Sequence, residues 1–272
     1  SSQSCAGANI VLNTIVAEAL DEFADRLESA ENVNKESAAI VREVINQHGR
    51  VIFNGNGYSE EWRKEAEKRG LPNIESTVEA LGAVLTPKAI KLFDKYKVLS
   101  KEELHSRNEI YMEQYAKQIN VEALAAIEMV KKQYLPAVVN AASDLSAAVE
   151  RLSSLKISFK VQKAMLEKLS VQLESAYSRL EILEKAVAES QAIEDVKAQA
   201  FAYRDETIPA MESLREAVDA LEVLVSKEMW PPTTRPRGGV TNPPSPARWG
   251  KSSGIPPPPP CTGATSGPTT PG

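Results

Sequence analysis

The chain has 272 residues, 32 Lys and Arg against 37 Asp and Glu for a net charge of −5, and 42% hydrophobic residues, an ordinary globular composition. Its two Cys, Cys5 and Cys261, exclude a disulfide framework and a Cys-based metal site. With only His48 and His105, a multi-His metal site would need both plus carboxylates, and no run approaches the about 18 uninterrupted apolar residues of a membrane span.

The average hides two polymers. Thirteen of the 17 Pro fall in residues 231–272, which carry no acid, four basic residues (Arg235, Arg237, Arg248, Lys251) and the run Pro256–Pro260. Such a segment buries too little apolar surface to offset its ordering entropy, so residues 230–272 are expected to be a disordered Pro/Gly-rich tail. It reads as a linker or a sequence artefact such as a frame change, with a proline-rich ligand for an aromatic groove as the alternative. Residues 1–229 hold the other 28 basic residues and all 37 acids, net −9, with no basic stripe carrying interleaved aromatics. Nucleic-acid binding is not expected. Scarce Cys fits a reducing, cytoplasmic-type interior, with an organelle left open. The sequence begins Ser1-Ser2-Gln3-Ser4 without an initiator Met and is read as a piece of a longer protein.

Helical periodicity predicts an amphipathic helix over 8–29, on Ile10, Val11, Ile15, Ala19, Leu20, Phe23 and Leu27. A second is expected over 34–48, with Asn34 as cap, Ile40, Val41, Val44 and Ile45 on one face, and Gly49 as its stop. Val51-Ile52-Phe53 is the one β-like run, closed by Asn54-Gly55-Asn56-Gly57 as a turn that needs positive φ. Ser59 caps a short helix that Gly70-Leu71-Pro72-Asn73 breaks. Short helices are expected over 77–84 and 87–96, the latter with Thr86 as cap and Pro87 at its first position.

Ser100 and Glu103 fit a capping box at the head of a long helical region, 101–154, kinked at Pro136. Residues 160–188 carry Leu166, Leu169, Leu173, Ala176, Leu180, Leu183 and Val187 at alternating spacings of 3 and 4, and Met211, Leu214, Val218, Leu221 and Val225 repeat the pattern. The expected fold is mainly α: helical hairpins and an antiparallel bundle with coiled-coil-like seams, one short β-like segment near 51–53, and the tail. A homomeric coiled coil is the rival.

Candidate chemistry is sparse. The glycines at 55 and 57 could cradle a phosphate, but neither a GxGxxG nor a Walker pattern is present. His105 with Glu102 and Glu109 could form half of a carboxylate–His metal site; a buried or capping His and first-turn acids are the plainer readings. Cys5 lacks a neighbouring His, Tyr111, Tyr115, Tyr134, Met112 and Met129 read as core, and Trp62 reads as a packing anchor. No catalytic, cofactor-binding or metal residue is assigned.

Several separate stretches follow one order. They are Ser1–Thr14; Phe53–Trp62 running on through Glu65–Asn73; Leu99-Ser100; Glu103–Arg107; Ile119–Leu124; and Leu135-Pro136-Ala137. Together, over residues 1 to about 230, they resemble the C-terminal part of type III glutamine synthetase. The resemblance implies an ATP-dependent ligase that joins ammonia to glutamate through γ-glutamyl phosphate, using Mg²⁺ or Mn²⁺. It implies other subunits of a homo-oligomeric ring assembly as partners, with neither nucleic acid nor membrane. It further implies that residues 1–50 end the catalytic domain, that 51–229 are the C-terminal helical domain, and that the metal and nucleotide ligands lie upstream. This chain alone would then be structural, serving oligomerisation, and inactive. Asn9 and Asn13 would hold the first helix against the catalytic sheet, which would cover its apolar face. Two departures stand out: Ala8 where the family has Pro, and the proline-rich continuation after Trp230-Pro231. The competing reading is a stand-alone helical scaffold whose tail recruits a proline-reading domain.

Overall fold

A computed structural model describes residues 5–231. The expected tail lies outside the described residues from 232 onward. Among those described, the architecture is helical and no strand is present.

Helix α1 (Ala6–Glu28) and α2 (Val33–His48) form a hairpin. The cap of α2 is Asn32 rather than Asn34. Asn32 has extended backbone and its side chain accepts from the Lys35 amide at 3.0 Å, whereas Asn34 already lies inside the first turn. Arg26 joins the two helices, donating to Glu36 at 2.7 and 3.0 Å and to Glu43 at 2.8 Å. The pair buries little: Thr14, whose hydroxyl donates to the Ile10 carbonyl, and Ile40 are its two buried residues.

The β-like run is not part of a sheet. Gly49–Val51 is a 3₁₀ turn, and Ile52 is extended with no strand to pair with among the described residues. Helix α3 (Glu60–Lys68) follows with Ser59 as its cap. The helix expected over 77–84 tightens midway, running as α4 (Thr77–Leu81) and then a 3₁₀ turn, Gly82–Leu85. Helix α5 (Pro87–Lys95) has the expected Thr86 cap and Pro87 start.

Two rods make the rest. Helix α6 (Lys101–Met129) opens on the capping box, since Ser100 accepts from the Glu103 amide and Glu103 from the Ser100 amide. It passes through a π turn, Val130–Tyr134, into α7 (Leu135–Ser154). Pro136 therefore widens the helix instead of breaking it. A proline ring collides with the carbonyl four residues back and donates no bond there. The π turn relieves this by having the Leu135 amide donate to Val130, five residues back. The second rod repeats the device: α9 (Val196–Ala202), a π turn Tyr203–Thr207, then α10 (Ile208–Glu222) with Pro209 in its first turn. Between the rods runs α8 (Lys160–Gln191).

The largest core lies where α7, α8 and α10 meet. Leu169, Ala176, Leu180, Leu183 and Val187 from α8 pack with Val138 and Ala141 and with Leu214, Ala217, Val218 and Leu221. All of these except Val138, Ala141 and Ala217 are residues of the two expected seams, with Leu173 and Met211 partly buried beside them. Trp230 closes this core by packing on Tyr134, ring centroids 5.0 Å apart. Ser190 and Thr207 are buried side by side as a hydroxyl pair at 3.1 Å, so neither polar group is stranded. A smaller core joins α4, α6 and α9 through Val78, Met112 and Ala200.

Candidate functional site

Three places gather polar or aromatic side chains. The first is an open cleft of about 400 Å³ between α6 and the start of α9, with His105, Asn108, Glu109, Glu194 and Asp195 on its walls. His105 is exposed, not buried or capping. Asn108 is occupied in holding α4, donating to the Leu81 carbonyl at 2.8 Å, and Asp195 caps α9 by accepting from the Ala198 amide at 2.7 Å. Glu102 belongs to the first turn of α6. Its own backbone amide and the Ser100 hydroxyl hold its carboxyl below the usual range. Among the described residues no group of three His, Cys, Asp or Glu is placed to hold a metal ion. His48 ends α2 exposed, and its side chain caps nothing.

The second place is the loop 49–59. Phe53 stacks on Trp62 at 4.3 Å, and the Arg69 guanidinium lies over the Trp62 ring at 5.6 Å. Arg69 also donates to the Arg50 and Ile52 carbonyls at 3.2 and 2.8 Å and to Glu65 at 2.7 Å. Trp62 is the expected anchor, and Arg69 is the residue that sequence reading passed over. The glycines are not there for positive φ, which among the described glycines only Gly70 adopts, at 67°. A Cβ on Gly55 would come within 2.7 Å of the Phe53 ring, so close approach is what excludes a side chain. Asn56 shapes the turn, its side chain accepting from the Tyr58 amide and its carbonyl from the Ser59 hydroxyl.

The third place ties α1 to α5. The Tyr96 hydroxyl lies 2.6 Å from Glu18 and 2.7 Å from Asp21, and Lys95 Nζ lies 2.8 and 2.9 Å from the same carboxylates. The phenol has one proton and serves one carboxylate at a time, while Lys95 bridges both. These bonds hold Glu18 and Asp21 below their usual carboxylate range, from Lys95 first for Glu18 and from Tyr96 first for Asp21. Burial, helped by Glu18, pushes Tyr96 up to about 12.

Comparison with known proteins places this architecture. Residues 36–153 match the family model of the glutamine synthetase C-terminal domain. The chain is 35% identical over 232 residues to the type-3 glutamine synthetase of Dictyostelium discoideum, an alignment covering 82% of this chain and 31% of that protein. The chain belongs to the glutamine synthetase family, in its C-terminal part. Glutamine synthetases of Butyrivibrio fibrisolvens (32% over 207 residues; 74% of this chain, 29% of that one) and Bacteroides fragilis strain YCH46 (28% over 241; 85% and 33%) are also similar. The chain thus spans about a third of the length of the curated relatives it matches.

The glutamine synthetase C-terminal domain model covers α2 through most of α7, and so includes the Trp62–Arg69 loop lock and the capping box. The residues raised as a metal half-site do not converge: His105 and Glu109 line the cleft, while Glu102 is held in the first turn of α6 by its own amide and the Ser100 hydroxyl. Met112 is core, Tyr115 and Tyr134 pack against buried clusters, and Tyr111 sits under Gly7 of α1. Asn9, Asn13 and Cys5 are exposed. The apolar side of α1 is bare, with Leu12, Ile15, Val16 and Leu20 each 51–61% exposed. No helix among the described residues is long and apolar enough to cross a membrane.

Proposed function

We propose that this chain is the helical, structural part of an ATP-dependent ligase that joins ammonia to glutamate through γ-glutamyl phosphate, and that it serves subunit assembly in a homo-oligomeric ring without catalysing ligation by itself. The observation that carries this reading is the match of residues 36–153 to the glutamine synthetase C-terminal domain. Phosphoryl transfer requires divalent cations, held by carboxylates, over the transferring group. The described residues do not fit Mg²⁺ or Mn²⁺, because no three of their His, Cys, Asp or Glu side chains come together to ligate an ion. The chemistry is assigned to the two thirds of the relatives' length that this chain does not span. In the same reading that remainder covers the bare apolar side of α1.

The test is a ligation assay on the purified chain with ATP, glutamate, ammonia and Mg²⁺ or Mn²⁺. No glutamine above a protein-free control is expected; turnover that scales with the chain's concentration would overturn the assignment.

A further inference from the structure

The α7–α8 hairpin runs past the end of its core. Fully buried residues stop at Ala141 in α7 and begin again at Leu169 in α8, with Ala142 and Leu145 the last α7 residues packed partly buried against that core. The overhang on α7, Ser146–Ser154, is about 14 Å long at about 1.5 Å per residue. A solvent-facing overhang should be polar. This one presents Leu155, Ile157, Val161 and Met165, each 48–69% exposed. Its charge is equally out of keeping. Residues 151–166 carry Arg151, Lys156, Lys160 and Lys163 and no acid, although residues 1–229 are net −9. Lys163 makes only a long pair with Glu167 at 3.8 Å.

The opposite chemistry is displayed on the outside of α10. Glu212, Glu216, Asp219 and Glu222 recur at helical spacing and all are exposed. Val223 lies on the same side and is 80% exposed. The geometry points to a second copy of this chain as the occupant: the basic, apolar hairpin tip of one copy docks on the acidic outer row of α10 in the next. Tip-to-tip pairing would set like charges against each other and is disfavoured. Tip and row are different surfaces, so the contact is head-to-tail and builds a closed ring or an open chain. This deepens the assembly part of the proposed function by naming the surfaces that meet.

The test is sedimentation of the full chain as salt is raised from about 0.01 M to about 1 M, shortening the Debye length from about 30 Å to about 3 Å. Species larger than a monomer are expected at low salt and monomer at high salt. The triple variant K156E/K160E/K163E and the triple variant E212K/E216K/E222K should each be monomeric, with circular dichroism confirming an intact fold. Mixed in equal amounts, they should associate again, because each then meets an opposite charge. Self-association that either variant retains, or a mixture that stays monomeric, overturns the surface assignment while leaving assembly standing. A wild-type chain monomeric at low salt overturns both the contact and assembly by this domain, and leaves the ligase-family reading to its own assay. A monomer that instead co-sediments with phosphatidylserine vesicles through the same lysines assigns the tip to membranes and overturns the proposal.

Discussion

The α1–α2 hairpin and the α7–α8–α10 bundle are both helical and both amphipathic, yet they are held by different forces. Helix α8 buries Leu169, Ala176, Leu180, Leu183 and Val187 along one seam, each at most 4% exposed. Helix α1, of comparable length, buries only Thr14 and leaves Leu12, Ile15, Val16 and Leu20 bare. Its ties are polar: Arg26 to α2, and Glu18 and Asp21 to Lys95 and Tyr96 of the α5 end. Apolar burial supplies most of a fold's stability, whereas exposed ion pairs contribute about 0–1 kcal/mol each. The bundle should therefore set the global stability, and the hairpin should open on its own.

The sharpest break of that contrast is a pair of matched truncations. Leu183→Ala removes a fully buried side chain and should cost about 2–5 kcal/mol. Leu20→Ala removes one that is 61% exposed and should stay within about 0.5 kcal/mol. Urea titration followed by circular dichroism measures both. A comparable loss from the two would mean that α1 is packed in solution as the bundle is.

Hydrogen exchange sharpens the same comparison without mutation. Amides across residues 169–187 should exchange only through global unfolding, while those across 8–27 should exchange through local opening and so far faster. Equal protection in the two segments would show the hairpin and the bundle to be one cooperative unit.

The polar tie also makes the hairpin pH-sensitive in a defined direction. Glu18 and Asp21 are held below their ordinary values of 4.5 and 3.8 in the folded chain. A depressed carboxyl stabilises the docked state above those values, and the contribution is lost as pH falls through the folded ones. Tyr96 is raised from 10.0 to about 12, so its contribution is complete below 10.0 and is lost as pH rises through about 12. Exchange across α1 should therefore quicken at both ends of the pH range while exchange in α8 does not, after correction for the intrinsic rate. Tyr96→Phe should weaken both limbs, leaving on the alkaline side the loss that comes from Lys95, which Glu18 and Asp21 also hold above its ordinary value of 10.5. An α1 that responds to pH only together with α8 would contradict the independent tie.

Sequence carried the bundle well because its signals are local or periodic. Thr86-Pro87, the Ser100–Glu103 box and the alternating seam each state their structure within a turn or two. What it did not carry depends on partners far along the chain. In Asn32-Val33-Asn34 either Asn could cap, and the backbone at 32 decides. Val51-Ile52-Phe53 has β-forming side chains, but a strand needs a second strand, and Phe53 has Trp62 instead. The reason for Gly55 is the Phe53 ring beside it. The Tyr96 cluster joins residues 75 and 78 positions apart, which no window of sequence displays. Pro136 and Pro209 both sit just after π turns; the first invited a kink and the second stands just ahead of the apolar repeat that begins at Met211.

The smallest expected effect concerns how helices stop. Helices α3, α5 and α7 end with the same pair of bonds. Gly70, Lys97 and Lys156 donate to the carbonyl three residues back, and Leu71, Val98 and Ile157 to the one five back. All three of the first-named residues have left-handed backbone, with φ of 67°, 51° and 57°. Only Gly70 is free of the steric cost that a Cβ incurs there. Lys97→Gly and Lys156→Gly should each relieve that cost, offset by the larger freedom Gly gives the unfolded chain, for a net gain under about 1 kcal/mol. The two should not read out alike. Lys156 closes α7 within the bundle hairpin and should raise its thermal midpoint slightly. Lys97 follows the α5 end that holds α1, so its gain should appear as slower exchange in the hairpin, with little change at the midpoint. A midpoint shift from Lys97→Gly as large as that from Lys156→Gly would couple the two regions after all.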